Sequence, residues 1–183
     1  MLFAALALAS CAKSSDVIFT QPTEADSVAE LSFAFSRNGG IATNQFAVWV
    51  EDSHGRYVKT LYATNFTASG GWKRRKMSIP LWVEQSGLAN MSQTQIDSLT
   101  GATPKNGNLT YRWDGKDSQN NLLPPGDYVI YLEGNLRMGN RVLYHAPIQI
   151  GHGATTSQIT SEYIGKAGKE QKMISAVNAR TIR

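Results

Sequence analysis

Apolar and small residues alternate along Leu31-Ser32-Phe33-Ala34-Phe35 with the period of two that marks a half-buried strand. Phe46-Ala47-Val48-Trp49-Val50-Glu51 and Arg56-Tyr57-Val58-Lys59-Thr60-Leu61-Tyr62 are rich in β-branched and aromatic residues. Asp52-Ser53-His54-Gly55 between them supplies turn chemistry, so the pair predicts a β-hairpin. Gly70-Gly71 opens a charged stretch in which Pro80 limits any strand or helix, and 81–88 reads as a helical turn or a loop. From Asn90 to Gly107 the chain is polar and lacks strong periodicity. It predicts a long connection outside the sheets, a length uncommon unless functional.

The β signal returns at Leu109-Thr110-Tyr111-Arg112-Trp113 and continues through Asp127-Tyr128-Val129-Ile130-Tyr131-Leu132-Glu133, Val142–Ala146 and Pro147–Ile150. Met173 to Ile182 is ambiguous: it reads as a final strand, paired with 158–164 across a turn at 165–172, or, more weakly, as a helix of small residues. Short strands at this spacing predict an all-β sandwich.

At 183 residues, with 42% hydrophobic and 17% charged positions, the chain has the length and composition of one folded domain. The net charge is +4, and much of the excess sits in Lys73-Arg74-Arg75-Lys76 and at the C-terminus. No helix-length basic face with interleaved aromatics occurs, which argues against nucleic acid as a partner. The basic run is expected on a solvated strand edge.

Residues 1–10 form an apolar segment far below the roughly 20 residues that span a bilayer, and read as a signal peptide. Leu8-Ala9-Ser10-Cys11 looks like a bacterial lipobox, which makes Cys11 the expected lipidation site and places the protein in the cell envelope on a membrane anchor. Residues 11–28 read as the tether and 29–183 as the single domain. Cys11 is the only cysteine, so no intramolecular disulfide, cysteine-rich metal site or iron–sulfur cluster is possible within the chain. His54, His145 and His152 have no metal-ligand spacing.

The segment Asp97-Ser98-Leu99-Thr100-Gly101-Ala102-Thr103 resembles the acceptor sequence on which bacterial flavin transferases esterify FMN to a threonine. The resemblance implies that Thr103 is the modified residue, that Thr100, Gly101 and Ala102 complete the core, and that Asp97 takes the acidic position. Gly101 lacks a Cβ and Ala102 has only a methyl, so another enzyme can approach the backbone. Pro104 holds Thr103 extended.

Trp113-Asp114-Gly115-Lys116-Asp117 and Leu123-Pro124-Pro125-Gly126-Asp127-Tyr128 resemble the immunoglobulin-like module of flagellar hook-capping proteins, with Trp113 and Tyr128 expected on neighbouring strands. The expected fold is thus an immunoglobulin-like antiparallel β-sandwich with one long inserted loop carrying the motif. From Ser32 to Gly151 the order of motifs is similar to a family of predicted periplasmic proteins, often accompanied by a flavin transferase and by PepSY-type membrane proteins.

That resemblance implies an extracytosolic electron carrier with covalent FMN, a redox module in place of a substrate-specific enzyme, served by a flavin transferase and a membrane redox partner. Lys73, Arg74, Arg75 and Lys105 are candidates to hold the phosphate or the reduced flavin. Among the tryptophans, Trp72 and Trp82 lie outside the clear strands and are better stacking candidates than Trp49 and Trp113. The competing expectation is a cofactor-free interaction or scaffolding lipoprotein. A hydrolase lacks support: Glu51 and Asp52 point to opposite faces of a strand, and no Gly-x-Ser-x-Gly elbow occurs.

Overall fold

Strand β1 (Ala29–Phe35) buries every second residue, Ala29, Leu31, Phe33 and Phe35, as the period of two requires of a strand with one wet face. The computed structural model describes residues 21–40, 44–165 and 172–183; the expected signal segment and Cys11 lie outside them. Among the described residues, β2 (Gln45–Asp52) and β3 (Tyr57–Thr64) form the expected antiparallel hairpin, followed much later by β4 (Thr100–Gly101) and β5 (Gly107–Trp113). The remaining strands are β6 (Gly126–Arg137), β7 (Asn140–Ile150), β8 (Thr155–Thr156), β9 (Thr160–Ile164) and β10 (Ile174–Thr181).

The strands build a sandwich of one sheet in the order β5-β1-β10-β8 and a larger one in the order β4-β3-β2-β6-β7-β9. All pairs are antiparallel except β3 with β4. Phe33 and Phe35 from one sheet meet Phe46 from the other with ring centroids 5.4 and 5.3 Å apart, and Tyr62 and Tyr111 close the same cluster at 4.9 Å. Full burial of each phenylalanine contributes about 1.5–3 kcal/mol, so this aromatic plug is a large share of what holds the sheets face to face.

Strand β2 departs from alternation: Gln45 to Glu51 is buried without a break. The cause is a third layer. Residues 65–99 leave β3 and fold over the outer face of the larger sheet, where Ala68, Ile79, Trp82 and Leu88 pack on Ala47, Trp49, Ala63 and Leu143. Helical turn α1 (Trp72–Arg74), helix α2 (Pro80–Gln85) and helix α3 (Gln93–Leu99) form this layer. The helical alternative read for 81–88 is the one that forms: Pro80 occupies the first turn of α2, where a backbone N–H has no helical partner to lose, so the proline limits the helix only by starting it.

Four further expectations change. The run Lys73–Lys76 lies on α1 and the turn after it, not on a strand edge, because the chain has already left the sheet at Asn65. Trp113 and Tyr128 sit on opposite sheets, and their rings meet edge-on across the interior at 4.9 Å. Strand β10 does not pair with β9; β9 joins β7 in the larger sheet, while β10 fills the smaller one between β1 and β8. The motif does not lie wholly outside the sheets either, since Thr100 and Gly101 form the edge strand β4.

Candidate functional site

The approach to the motif is a short capped helix. Ser92 Oγ accepts from the N–H of Gln95 at 3.3 Å, and Gln95 Oε1 accepts from the N–H of Ser92 at 2.8 Å, a reciprocal capping box that fixes where α3 begins. Ile96 and Leu99 pack on the third layer, while Asp97 is exposed and accepts from Gln93 Nε2 at 2.7 Å one helical turn away. Thr100 and Gly101 then pair in parallel with Ala63 and Thr64.

The two threonines of the core occupy different environments. Thr100 is 7% exposed, with its Oγ 3.5 Å from Asn65 Nδ2, whereas Ala102 is exposed and Thr103 half-buried. Of the two threonines, Thr103 is the more open to solvent and Thr100 is covered.

Tyr62 locks this segment to the main core. Its hydroxyl donates to the Ala102 carbonyl at 2.7 Å, and a Cβ built at Gly101 would stand 2.7 Å from Tyr62 Cε2, so only glycine lets the ring reach the bond. Burial pushes the Tyr62 phenol well above its ordinary range, which keeps it a neutral donor at any physiological pH. The tyrosine is forty residues from its acceptor and carries no motif, so only the three-dimensional packing against Phe46 and Tyr111 identifies it.

The remaining candidate residues divide by burial. Trp49, Trp82 and Trp113 are fully buried, so Trp82 is corrected from a stacking candidate to a core residue; its Nε1 donates to Thr60 Oγ1 at 2.9 Å. Trp72 is half-buried with Lys73 Nζ 5.4 Å from its ring centroid. Lys73, Arg74 and Lys105 are exposed, and the Arg75 guanidinium lies 4.6 Å from the centroid of Phe66.

Two carboxylates lie on the outer face of the larger sheet: Glu51, weighed in the sequence only with Asp52, and Glu133, which no motif marks. Glu51 accepts from Trp49 Nε1 at 2.8 Å, and burial raises its carboxyl above the usual range. Glu133, 1% exposed, accepts from the Trp82 N–H at 3.0 Å; burial outweighs that bond and nearby Arg141 and pushes the carboxyl up to about 7. They belong to opposite ends of the third-layer contact and do not converge on a common open site.

No curated protein and no solved structure matches the chain. The model of the family described as predicted periplasmic protein (DUF2271) matches residues 27–166, which run from the residues just before β1 to those just after β9. The chain belongs to that family of predicted periplasmic proteins.

Proposed function

We propose that the protein is an extracytosolic electron-transfer lipoprotein, anchored through Cys11, whose FMN is esterified to Thr103 by a flavin transferase. The observation that carries this is the contrast between Thr100 and Thr103: within a motif held in place at both Gly101 and Ala102, the second threonine is the residue partly open to solvent.

In the attachment step the Thr103 hydroxyl oxygen forms a bond to the FMN phosphorus of FAD. The pyrophosphate bond breaks, AMP leaves with the bridging oxygen, and the hydroxyl proton passes to the transferase. The residues fit such a group: the backbone approach is open at Ala102, and the exposed cations Lys73, Arg74 and Lys105 would offer positive charge to a phosphodiester. The bound flavin supplies the redox chemistry, and the protein positions it and sets its electrostatic surroundings. The role is that of a carrier between a membrane redox protein and a further acceptor.

Co-production with a flavin transferase and FAD, followed by intact-mass measurement, tests the attachment. One FMN residue is expected on the wild-type chain, with in-gel flavin fluorescence after denaturation, and none on Thr103→Ala. A wild-type chain that stays unmodified beside an active transferase, or a Thr103→Ala variant that still carries flavin, refutes the proposal.

A further inference from the structure

We infer that the isoalloxazine and phosphodiester of the attached FMN lodge in the basic hollow formed by Asn65, Phe66, Ser69, Gly70, Lys73 and Arg74. This placement rests on the attachment to Thr103 proposed above and adds to it where the flavin lies.

The direction of β4 selects this hollow. Because β4 runs parallel to β3, with Gly101 beside Thr64, the chain leaves Gly101 at the same end of the sheet at which β3 passes into Asn65 and Phe66. Thr103 is two residues further on. At about 3.3 Å per extended residue, its Cα is at most about 7 Å from that of Gly101. Asn65, which lines the hollow, already reaches the motif, with its Nδ2 3.5 Å from Thr100 Oγ1. Helix α3 also packs against the Thr67–Gly71 turn.

The chemistry of the hollow suits a flavin nucleotide. It encloses about 450 Å³, within the roughly 300–1,000 Å³ of ordinary small-molecule sites. Among the described residues Phe66 is one of the few exposed large apolar side chains, and it gives the hollow an aromatic wall, with the Arg75 guanidinium 4.6 Å from its ring centroid. Gly70 adopts φ +98 with open space above its Cα, leaving room for an entering group. Among the described residues, no ion pair involves Lys73, Arg74, Arg75 or Lys76, so no described carboxylate is within ion-pair distance of this charge.

A larger hollow of about 630 Å³ lies between α3 and the turn at Ser118–Asn120, lined by Tyr57, Lys59 and Thr60 from the beginning of β3. It opens at the end from which β4 runs away. Its cation Lys59 is also occupied, 3.2 Å from Asp114.

The test uses full-length protein flavinylated by co-production with the transferase, and reads only the fraction whose intact mass includes FMN. Acrylamide, a neutral quencher, reports how open the flavin is to solvent, and redox titration reports the charge around it. Wild-type flavin is expected to be shielded from acrylamide. Ser69→Trp, which fills the hollow, and Lys73→Glu with Arg74→Glu, which reverses its charge, are expected to raise the quenching constant, and the charge reversal also to lower the reduction potential. Ser118→Trp, in the larger hollow and outside α3 and the motif, leaves both unchanged.

Equal quenching of wild type and both hollow variants, each with FMN on Thr103, overturns the placement and leaves the attachment standing. A shift produced by Ser118→Trp alone overturns it in favour of the larger hollow. A wild-type chain without FMN removes the attachment and the placement together.

Discussion

Replacing Glu133 by Gln separates the shape of the third layer from its charge. The Glu133 carboxylate is 1% exposed, accepts the Trp82 N–H at 3.0 Å, and stands 3.6 Å from Arg141 Nε, an ion pair too long to be a good hydrogen bond. Desolvation dominates, and the folded carboxyl is pushed from 4.5 up to about 7. A folded-state pKa above the unfolded one means that the contribution of this group to stability is complete below about pH 4.5 and is lost as the pH rises through about 7. At about 1.4 kcal/mol per pH unit, the interval between 4.5 and about 7 amounts to roughly 3 kcal/mol.

Glutamine keeps an oxygen for the Trp82 N–H and removes the titration. Urea unfolding of wild type and Glu133→Gln across pH 4 to 8 reads the difference directly. The two are expected to converge near pH 4. At pH 8 the variant is expected to be more stable by roughly 2–3 kcal/mol, which for a chain of this size is a rise of roughly 5–10 °C in Tm. A variant that is equally or less stable than wild type at pH 8 refutes the reasoning, because it means that attraction to Arg141 outweighs the burial of the carboxylate.

Two predictions concern the lock on the motif. Tyr62→Phe removes the donor to the Ala102 carbonyl and is expected to cost about 1 kcal/mol, with faster amide hydrogen exchange at 101–105 and slower flavinylation; unchanged exchange in that segment counts against the lock. Gly101→Ala places a methyl carbon 2.7 Å from Tyr62 Cε2 and is expected to cost about 1–3 kcal/mol by displacing the ring, so combining it with Tyr62→Phe must give less than the sum of the two. Strict additivity of the pair refutes the shared geometry. The Thr103→Ala mass measurement and the quenching of the hollow variants complete the set, and each reads a different link between motif and flavin.

Local patterns were legible where a residue's surroundings are set by its sequence neighbours. Alternation in β1, the Asp52–Gly55 turn and the β-rich run of β2 and β3 all appear as read, because the period of two and turn chemistry are properties of a few adjacent residues. The unbroken apolar run of β2 carried a signal of burial on both faces that goes beyond a hairpin. What fills its outer face comes from residues 67–88, a stretch whose helices hold only short apolar segments. Helix α2 was legible only as a turn of helix or a loop over 81–88, because Pro80 breaks a helix interior but suits a helix start, and sequence alone did not show which position it held. Trp82 was misplaced for the same reason: without the third layer, a tryptophan between strands looks available to solvent.

The amino-acid sequence by itself determined the β character, the motif from Asp97 to Thr103 and the absence of any second cysteine, since each depends only on residue type and spacing. Tertiary structure decided which sheet each strand joins, that Thr100 is covered while Thr103 is partly open, and that Tyr62 fixes the backbone between them. It also brought the basic run to the end of the sheet at which β4 stops. These are contacts between residues about thirty to forty positions apart, whose energies depend on burial and on the direction of strand pairing, and neither quantity is written in a local pattern.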